Sequence, residues 1–227
     1  VDRAPRLAKL VVITGTGTGI GKTHFAEALL LAIGQVRSRV IGLKPVETGL
    51  REATVSDAAR LERASSFHVE PFGYMFAESL SPHLAARDEN DPIDMESLIP
   101  LIGEVRDEAD LVLVELPGGL FTPLSDLIFN ADFARDLRPD LTLLVAPDRL
   151  GALHDVIATT RAARSVPLPI DGIVLVTPEP PDSATGRNGP ELRRLLDIPV
   201  LDPLPRASVA DLAAHDTLRA VVAVLTR

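Results

Sequence analysis

The chain has 227 residues, 46% of them hydrophobic and 24% charged, enough for a substantial core in one large α/β domain or two small ones. A formal net charge of −9 argues against a surface that grips nucleic acid or anionic membrane, and 4% aromatics are too few for base-stacking platforms. The absence of cysteine excludes disulfides, thiolate catalysis and Cys-ligated zinc. The opening residues lead into an apolar run too short for a signal peptide or a membrane span, so a cytoplasmic protein is expected. The missing initiator Met is read as trimming or tagging, and residues 1–8 as flexible.

Residues 10–13 (L-V-V-I) read as a buried strand, followed by a glycine-rich loop and a helix over 22–33. A second strand covers 39–43 and ends on Lys44. Residues 54–98 are polar and too long for a bare loop in a compact domain, so short helices are expected there. Strands follow at 110–116 and 140–146, a helix at 149–164, a fifth strand at 170–177 and a short last one at 200–201. Residues 178–190, rich in Pro, Ser and Gly, read as an exposed mobile loop, and 211–225 as a closing helix. Fully apolar, β-branched strands separated by helices indicate parallel strands buried on both faces. The expectation is a single-domain α/β fold over 1–227: a doubly wound, mostly parallel sheet with a P-loop, its ligands at the carboxyl ends of the strands.

The residues able to carry chemistry fall at those strand ends. G-T-G-T-G-I-G-K-T, residues 15–23, lies between a strand and a helix, the context a phosphate-binding loop needs. Backbone N–H groups at Gly19, Ile20 and Gly21, with the positive end of the helix, would take phosphate oxygens. Lys22 would reach the terminal phosphates and the Thr23 hydroxyl would ligate Mg²⁺. The competing reading is a Gly/Thr-rich turn with an incidental G-K-T. Lys44 ends the second strand in K-P-V-E-T-G, where a lysine taken alone is more often merely exposed than functional. Asp57 reads either as a site acid or as an ordinary acid at a helix start. Glu115 interrupts the apolar run L-V-L-V-E-L-P-G-G, where a lone carboxylate is costly without a cation. A Mg²⁺-binding acid opposite the loop accounts for it, and Gly118-Gly119 would let the backbone approach a ligand closely.

Taken together these stretches resemble the dethiobiotin synthetase family. Residues 111–126 resemble its V-E-G-A-G-G-W-x-x-P-L signature. The loop resembles G-T-D-T-x-V-G-K-T, with five residues between the glycines instead of the usual four. K-P-V-E-T-G, S56-D57 and F-A-E-S-L-S-P-H (76–83) resemble further family motifs in the same order. The match is collinear from about residue 10 to 165 and weaker afterwards. The resemblance implies an ATP- and Mg²⁺-dependent carbon–nitrogen ligase that carboxylates 7,8-diaminopelargonic acid with CO₂, phosphorylates the carbamate and closes a cyclic urea. It implies Lys22 and Lys44 as stabilisers of phosphate and carbamate charge. It further implies Thr23, Asp57 and Glu115 as Mg²⁺ ligands, and Thr18 and Thr48 as contacts to carbamate or phosphate oxygens. Gly118, Gly119 and Val176 fall at nucleotide positions. The substrate positions are Thr48, Pro82, Leu150, Gly151 and His154, and the family's active site lies at a homodimer interface.

The chain departs from the family pattern in four places. Gly17 stands where the loop has Asp, and Leu116-Pro117 replaces Gly-Ala. His154 stands for an Asn near the substrate carboxylate, and Val176 for an Asn that reads the adenine base. Relaxed base selectivity or weak nucleotide binding would follow, and a nucleotide-binding paralogue that does not turn over the diamine is the alternative. A cobyrinic acid amidating synthetase is disfavoured by the missing glutaminase domain and cysteine. A partitioning ATPase is disfavoured because no lysine lies between Lys9 and Lys22. His24, His68 and His215 receive no role, and His83 belongs to the S-P-H segment.

Overall fold

A computed structural model describes residues 8–225. The expected flexible start lies outside these residues except for Ala8, which is buried. In chain order the elements are β1 (Lys9–Gly15), α1 (Lys22–Gly34), β2 (Val40–Leu43), β3 (Val46–Glu47), α2 (Asp57–Ala64), β4 (Tyr74–Met75), α3 (Pro82–Asp88) and α4 (Met95–Glu108). They continue as β5 (Leu111–Glu115), α5 (Asn130–Leu137), β6 (Leu141–Pro147), α6 (Ala152–Ala163), β7 (Gly172–Val176), α7 (Asn188–Leu195), α8 (Val209–Ala213) and α9 (Asp216–Leu225).

Five strands form one parallel sheet in the order β2-β5-β1-β6-β7. Side chains alternate along each strand, so β1 feeds two cores. Val11 and Ile13 face α1, α8 and α9 through Phe25, Leu29 and Leu218. Leu10 and Val12 face α4 and α5 through Leu98, Ile102 and Phe133. A third cluster packs α6 and α7 on β6 and β7. The crossover from β1 leads to β2 on one side, and those from β5 and β6 lead to β6 and β7 on the other, with β5 and β6 flanking β1. The strand order therefore splits beside the glycine loop, the crevice in which such sheets hold ligands.

Both sheet edges are closed by side chains or by neighbouring chain. At β2 the N–H groups of Val40 and Gly42 donate to the hydroxyls of Ser66 and Ser65, at 2.8 and 2.9 Å. At β7 the expected strand at 200–201 is only a bridge at Val200, prolonged by a second at Leu204. Thr177 N donates to Leu204 O at 3.0 Å, so this segment pins the end of β7. Edges treated this way do not recruit further strands.

Several expected boundaries shift. The helix expected over 149–164 begins only at Ala152, after Gly151 at φ 98°. The helix expected over 211–225 is two: α8, capped by Ser208, ends at Ala213, and α9 starts afresh at Asp216. Short helices do occupy 54–98, but the stretch also carries β4, which pairs with β3, just upstream of it, as a separate two-stranded parallel ladder. The stretch 178–190 is largely exposed, yet it is tied down. The buried Asp148 carboxylate accepts from Gly186 N and Asn188 Nδ2, both at 2.7 Å, and α7 begins inside it at Asn188. No helix among the described residues is long and apolar enough to cross a membrane.

Candidate active site

The loop between β1 and α1 is built for close approach. Gly21 precedes α1 at φ 94°, a left-handed conformation that glycine adopts without strain. A side chain at Gly15 would meet Ile20 Cδ1 at 2.6 Å and Lys22 Cδ at 3.0 Å. Lys22, almost wholly buried, donates to Gly17 O at 2.7 Å and so arches back over its own loop. Burial pushes its pKa down to about 8; the neighbouring Lys44 adds to the fall, and Glu115 and Asp57 oppose it. A side chain at Gly17 would enter open space, so nothing steric dictates glycine there.

Opposite the loop three charges share one buried knot. Glu115, at the carboxyl end of β5, next to the central β1, has no solvent exposure. Its Oε1 accepts from Thr23 Oγ1 and from Lys44 Nζ, both at 2.9 Å. Lys44 Nζ also donates to Asp57 Oδ2, at the first turn of α2. Burial alone would lower the Lys44 pKa, but Glu115 and Asp57 outweigh it and hold it above the ordinary lysine value. Burial would raise Asp57, but Lys44 and the Thr23 hydroxyl hold it below the carboxylate range. Arg60, one turn further along α2, reaches Glu27 at 2.5 Å and Asp57 at 3.4 Å.

One atom in this knot is left over. Glu115 Oε2 is buried and has no hydrogen-bond partner, a cost native structures avoid unless something else meets that oxygen. With Thr23 and Asp57 it offers hard oxygen donors, the chemistry that suits Mg²⁺. Among the described residues no group of three or more His, Cys, Asp or Glu is placed to hold a metal ion by itself. Two carboxylates and a hydroxyl fit an ion that keeps waters and phosphate oxygens, rather than a site enclosed by protein.

These residues line a cleft of about 640 Å³, which also takes in Thr18, Gly19, Thr48, Pro82 and Gly118. A second cleft of about 670 Å³ opens on the other side of the loop, sharing Thr18, Gly19, Ile20, Gly21 and His24. Val176 lines it, with Pro147, Pro178, Pro205, Arg149 and Arg206. The Val176 side chain lies 3.2 Å from where a Cβ on Gly21 would stand.

Four candidates fall elsewhere. Gly119 packs on the loop's own backbone, bridging to Thr16, and a Cβ there would lie 3.3 Å from Gly15 O. Asn130 Nδ2 fixes that turn by donating to Pro117 O at 2.5 Å and Gly119 O at 2.8 Å. Leu150, Gly151 and His154 lie exposed at the start of α6 and line neither cleft of their own chain. His83 turns away too, toward Ser81 Oγ and a separate cleft with Arg87 and Asp126.

Sequence reasoning passed over Glu47, Arg60 and Asn130. Glu47, 5% exposed, receives Asp57 N at 2.6 Å and Ala58 N at 2.9 Å. The only signal for it was a carboxylate inside K-P-V-E-T-G, three residues from Lys44.

The profile of the AAA domain family matches residues 9–213. An ATP-dependent dethiobiotin synthetase BioD 1 of Salmonella typhi is 34% identical over 212 residues, covering 90% of this chain and 92% of that protein. The Escherichia coli K12 protein of the same name is 34% identical over 210 residues, covering 88% and 91%. Among solved structures, MinD in the MinC:MinD complex of Aquifex aeolicus aligns at TM-score 0.61 and 14% identity, over 97% of this chain and 95% of that one. A ParA family ATPase from Chlorobium tepidum aligns at 0.58 and 13%, over 97% and 98%. At such identities the likeness establishes the fold alone.

Proposed function

This chain belongs to the ATP-dependent dethiobiotin synthetase family, and we propose that the cleft between the glycine loop and the Lys44–Asp57–Glu115 knot is where it works. The enzyme is an ATP-driven ligase that closes the ureido ring of dethiobiotin in biotin biosynthesis. Its small-molecule substrates are the diamine 7,8-diaminopelargonic acid and CO₂. One substrate amine adds to CO₂ to give a carbamate, and the γ-phosphoryl group passes to a carbamate oxygen. The second amine then attacks the mixed anhydride carbon, closing the ring as phosphate leaves with the C–O bond electrons. No side chain needs to be a nucleophile, so the protein's task is positioning and charge stabilisation.

In this reading the N–H groups of residues 19–21 and the start of α1 hold the phosphates, and Lys22 neutralises the γ-phosphate. Lys44 offsets charge on the carbamate and the transferring phosphoryl group. Thr18 and Thr48 contact carbamate or phosphate oxygens, with Pro82 on the diamine side. Thr23, Asp57 and Glu115 would hold Mg²⁺, which when bound neutralises phosphate charge and screens the attack. The observation that carries this reading is the buried Glu115, shared by Lys44 and Thr23, with its second oxygen unmet.

We also propose that the enzyme is a homodimer whose partner supplies the start of α6 to the diamine carboxylate. Leu150 is 80% exposed there, and Leu150, Gly151 and His154 lie outside their own chain's clefts. A cytoplasmic location fits an enzyme that draws on ATP.

The deciding experiment supplies purified protein with the diamine, bicarbonate, Mg²⁺ and ATP, CTP or GTP, and measures dethiobiotin. No product with any nucleotide refutes the reading. Sedimentation tests the dimer: Leu150→Asp is expected to give monomers that bind nucleotide but make little product, and dimers with full turnover would refute the shared site.

A further inference from the structure

Helix α2 opens on Asp57, and its N-terminal N–H groups lack partners within the helix, as in any helix. Ser56 Oγ takes one, from Ala59 at 3.1 Å. The two before it go to one residue outside the helix: Asp57 N donates to Glu47 Oε1 at 2.6 Å, and Ala58 N to Glu47 Oε2 at 2.9 Å. Glu47 is 5% exposed, so its carboxylate has exchanged water for this pair of N–H donors at the positive end of a helix. Its backbone is fixed as well. It lies on β3 beside Met75, and its C=O accepts from Phe76 N at 2.9 Å.

We propose that Glu47 is a positioning residue for the metal-binding carboxylate: by holding the first two N–H groups of α2 it sets where Asp57 presents its side chain. The inference rests on the reading that Asp57 holds Mg²⁺. The segment K-P-V-E-T-G then grips α2 at two points. Lys44 holds the Asp57 side chain, and Glu47, three residues on, holds the Asp57 backbone. Thr48 follows directly and lines the same cleft, so the substrate side and the metal side of the site move as one piece. A bidentate carboxylate is required for this. Gln offers one accepting oxygen and an NH₂ that faces a donor, and Ala offers nothing.

The test uses full-length Glu47→Gln and Glu47→Ala with two readouts. The first is amide hydrogen exchange at residues 57–58 without nucleotide, expected to quicken at least ~10-fold in the Ala variant and less in the Gln variant. The second is half-saturation by Mn²⁺ binding in the presence of ATP, and by Mg²⁺ in turnover. Both are expected to rise roughly 10–100-fold in the Ala variant and several-fold in the Gln variant, with kcat at saturating metal within a few-fold of wild type. A merely structural role would lower the yield of folded enzyme and leave the metal half-saturation unmoved. If Glu47→Ala does not fold, the near-isosteric Gln variant decides. Unchanged exchange, or unchanged metal half-saturation beside a clear rise in Asp57→Asn, overturns the role of Glu47. If Asp57→Asn leaves metal binding unchanged, the metal assignment fails and this inference with it.

Discussion

The two clefts that share the glycine loop differ in how their charged groups are held. On the Lys44 side, buried and half-buried polar groups are bonded to one another: Glu115 to Thr23 and Lys44, Lys44 to Asp57, Asp57 to Arg60. On the Val176 side the wall mixes Val176 and prolines at 147, 178 and 205 with Arg149, Thr177, Glu179 and Arg206. Its one ion pair, Arg206–Glu179 at 2.7 Å, is about two-thirds exposed on both partners. Phosphoryl transfer needs charges fixed before the reaction begins, because a dipole that must reorient at the transition state stabilises it less. Holding a base needs surface and one or two hydrogen bonds. In the proposed reading, rate belongs to the first cleft and selectivity, where there is any, to the second.

The largest effects should come from the buried knot. Lys44→Ala strands Glu115 without its cation, which should cost about 3–5 kcal/mol of stability and show as a lowered melting temperature. Lys22→Ala and Glu115→Ala should each lower single-turnover rates by about 10²–10³. Turnover within a few-fold of wild type in either variant would move the active site elsewhere. Next in size is a pH effect from Lys22. Its pKa of about 8 means the cation prevails below pH 8 and the neutral amine above it. Nucleotide phosphate binds the cation, so affinity should be flat below pH 8 and weaken up to ~10-fold per unit above it. Calorimetric titrations from pH 6.5 to 9.5 read this directly. Lys22→Arg keeps its charge across the range and should flatten the profile, whatever its absolute affinity; an unchanged slope would assign the pH dependence to another group.

How much of each cleft could be read from the chain follows from the same contrast. Glu115 stood out because a carboxylate inside L-V-L-V-E-L demands a partner, and the fold supplies Lys44 and Thr23. The parallel sheet was legible because β1, β5 and β6 are apolar on both faces. Glu47 was not, since its partners are backbone N–H groups ten and eleven residues away, which leave no trace in side-chain type. The β3–β4 ladder has two residues per strand, too few for any period. The break between α8 and α9 carries no Gly or Pro; there Thr217 N meets His215 Nδ1 at 3.3 Å. Gly119 was read as letting the backbone approach a ligand, and the neighbours it lies against are the loop's own backbone at Gly15 and Thr16.

The smallest effects should lie on the Val176 side, and they sharpen the comparison most. Valine offers no hydrogen bond to a base edge, so ATP, CTP and GTP should support turnover with kcat/KM within about tenfold of one another. Val176→Asn adds a donor and an acceptor at the half-buried end of β7 and should widen the preference for ATP several-fold while leaving kcat at saturating ATP unchanged. Strict ATP preference in the wild-type protein would show that other groups already read the base in this cleft. Arg206→Ala removes only an exposed ion pair, a class of contact worth ~0–1 kcal/mol. It should shift the melting temperature little and change affinity for all three nucleotides alike, by no more than a few-fold. If instead it discriminates among the bases, the pair with Glu179 is a reader rather than a rim contact, and the division between a cleft for rate and a cleft for grip would give way to one in which both are specific.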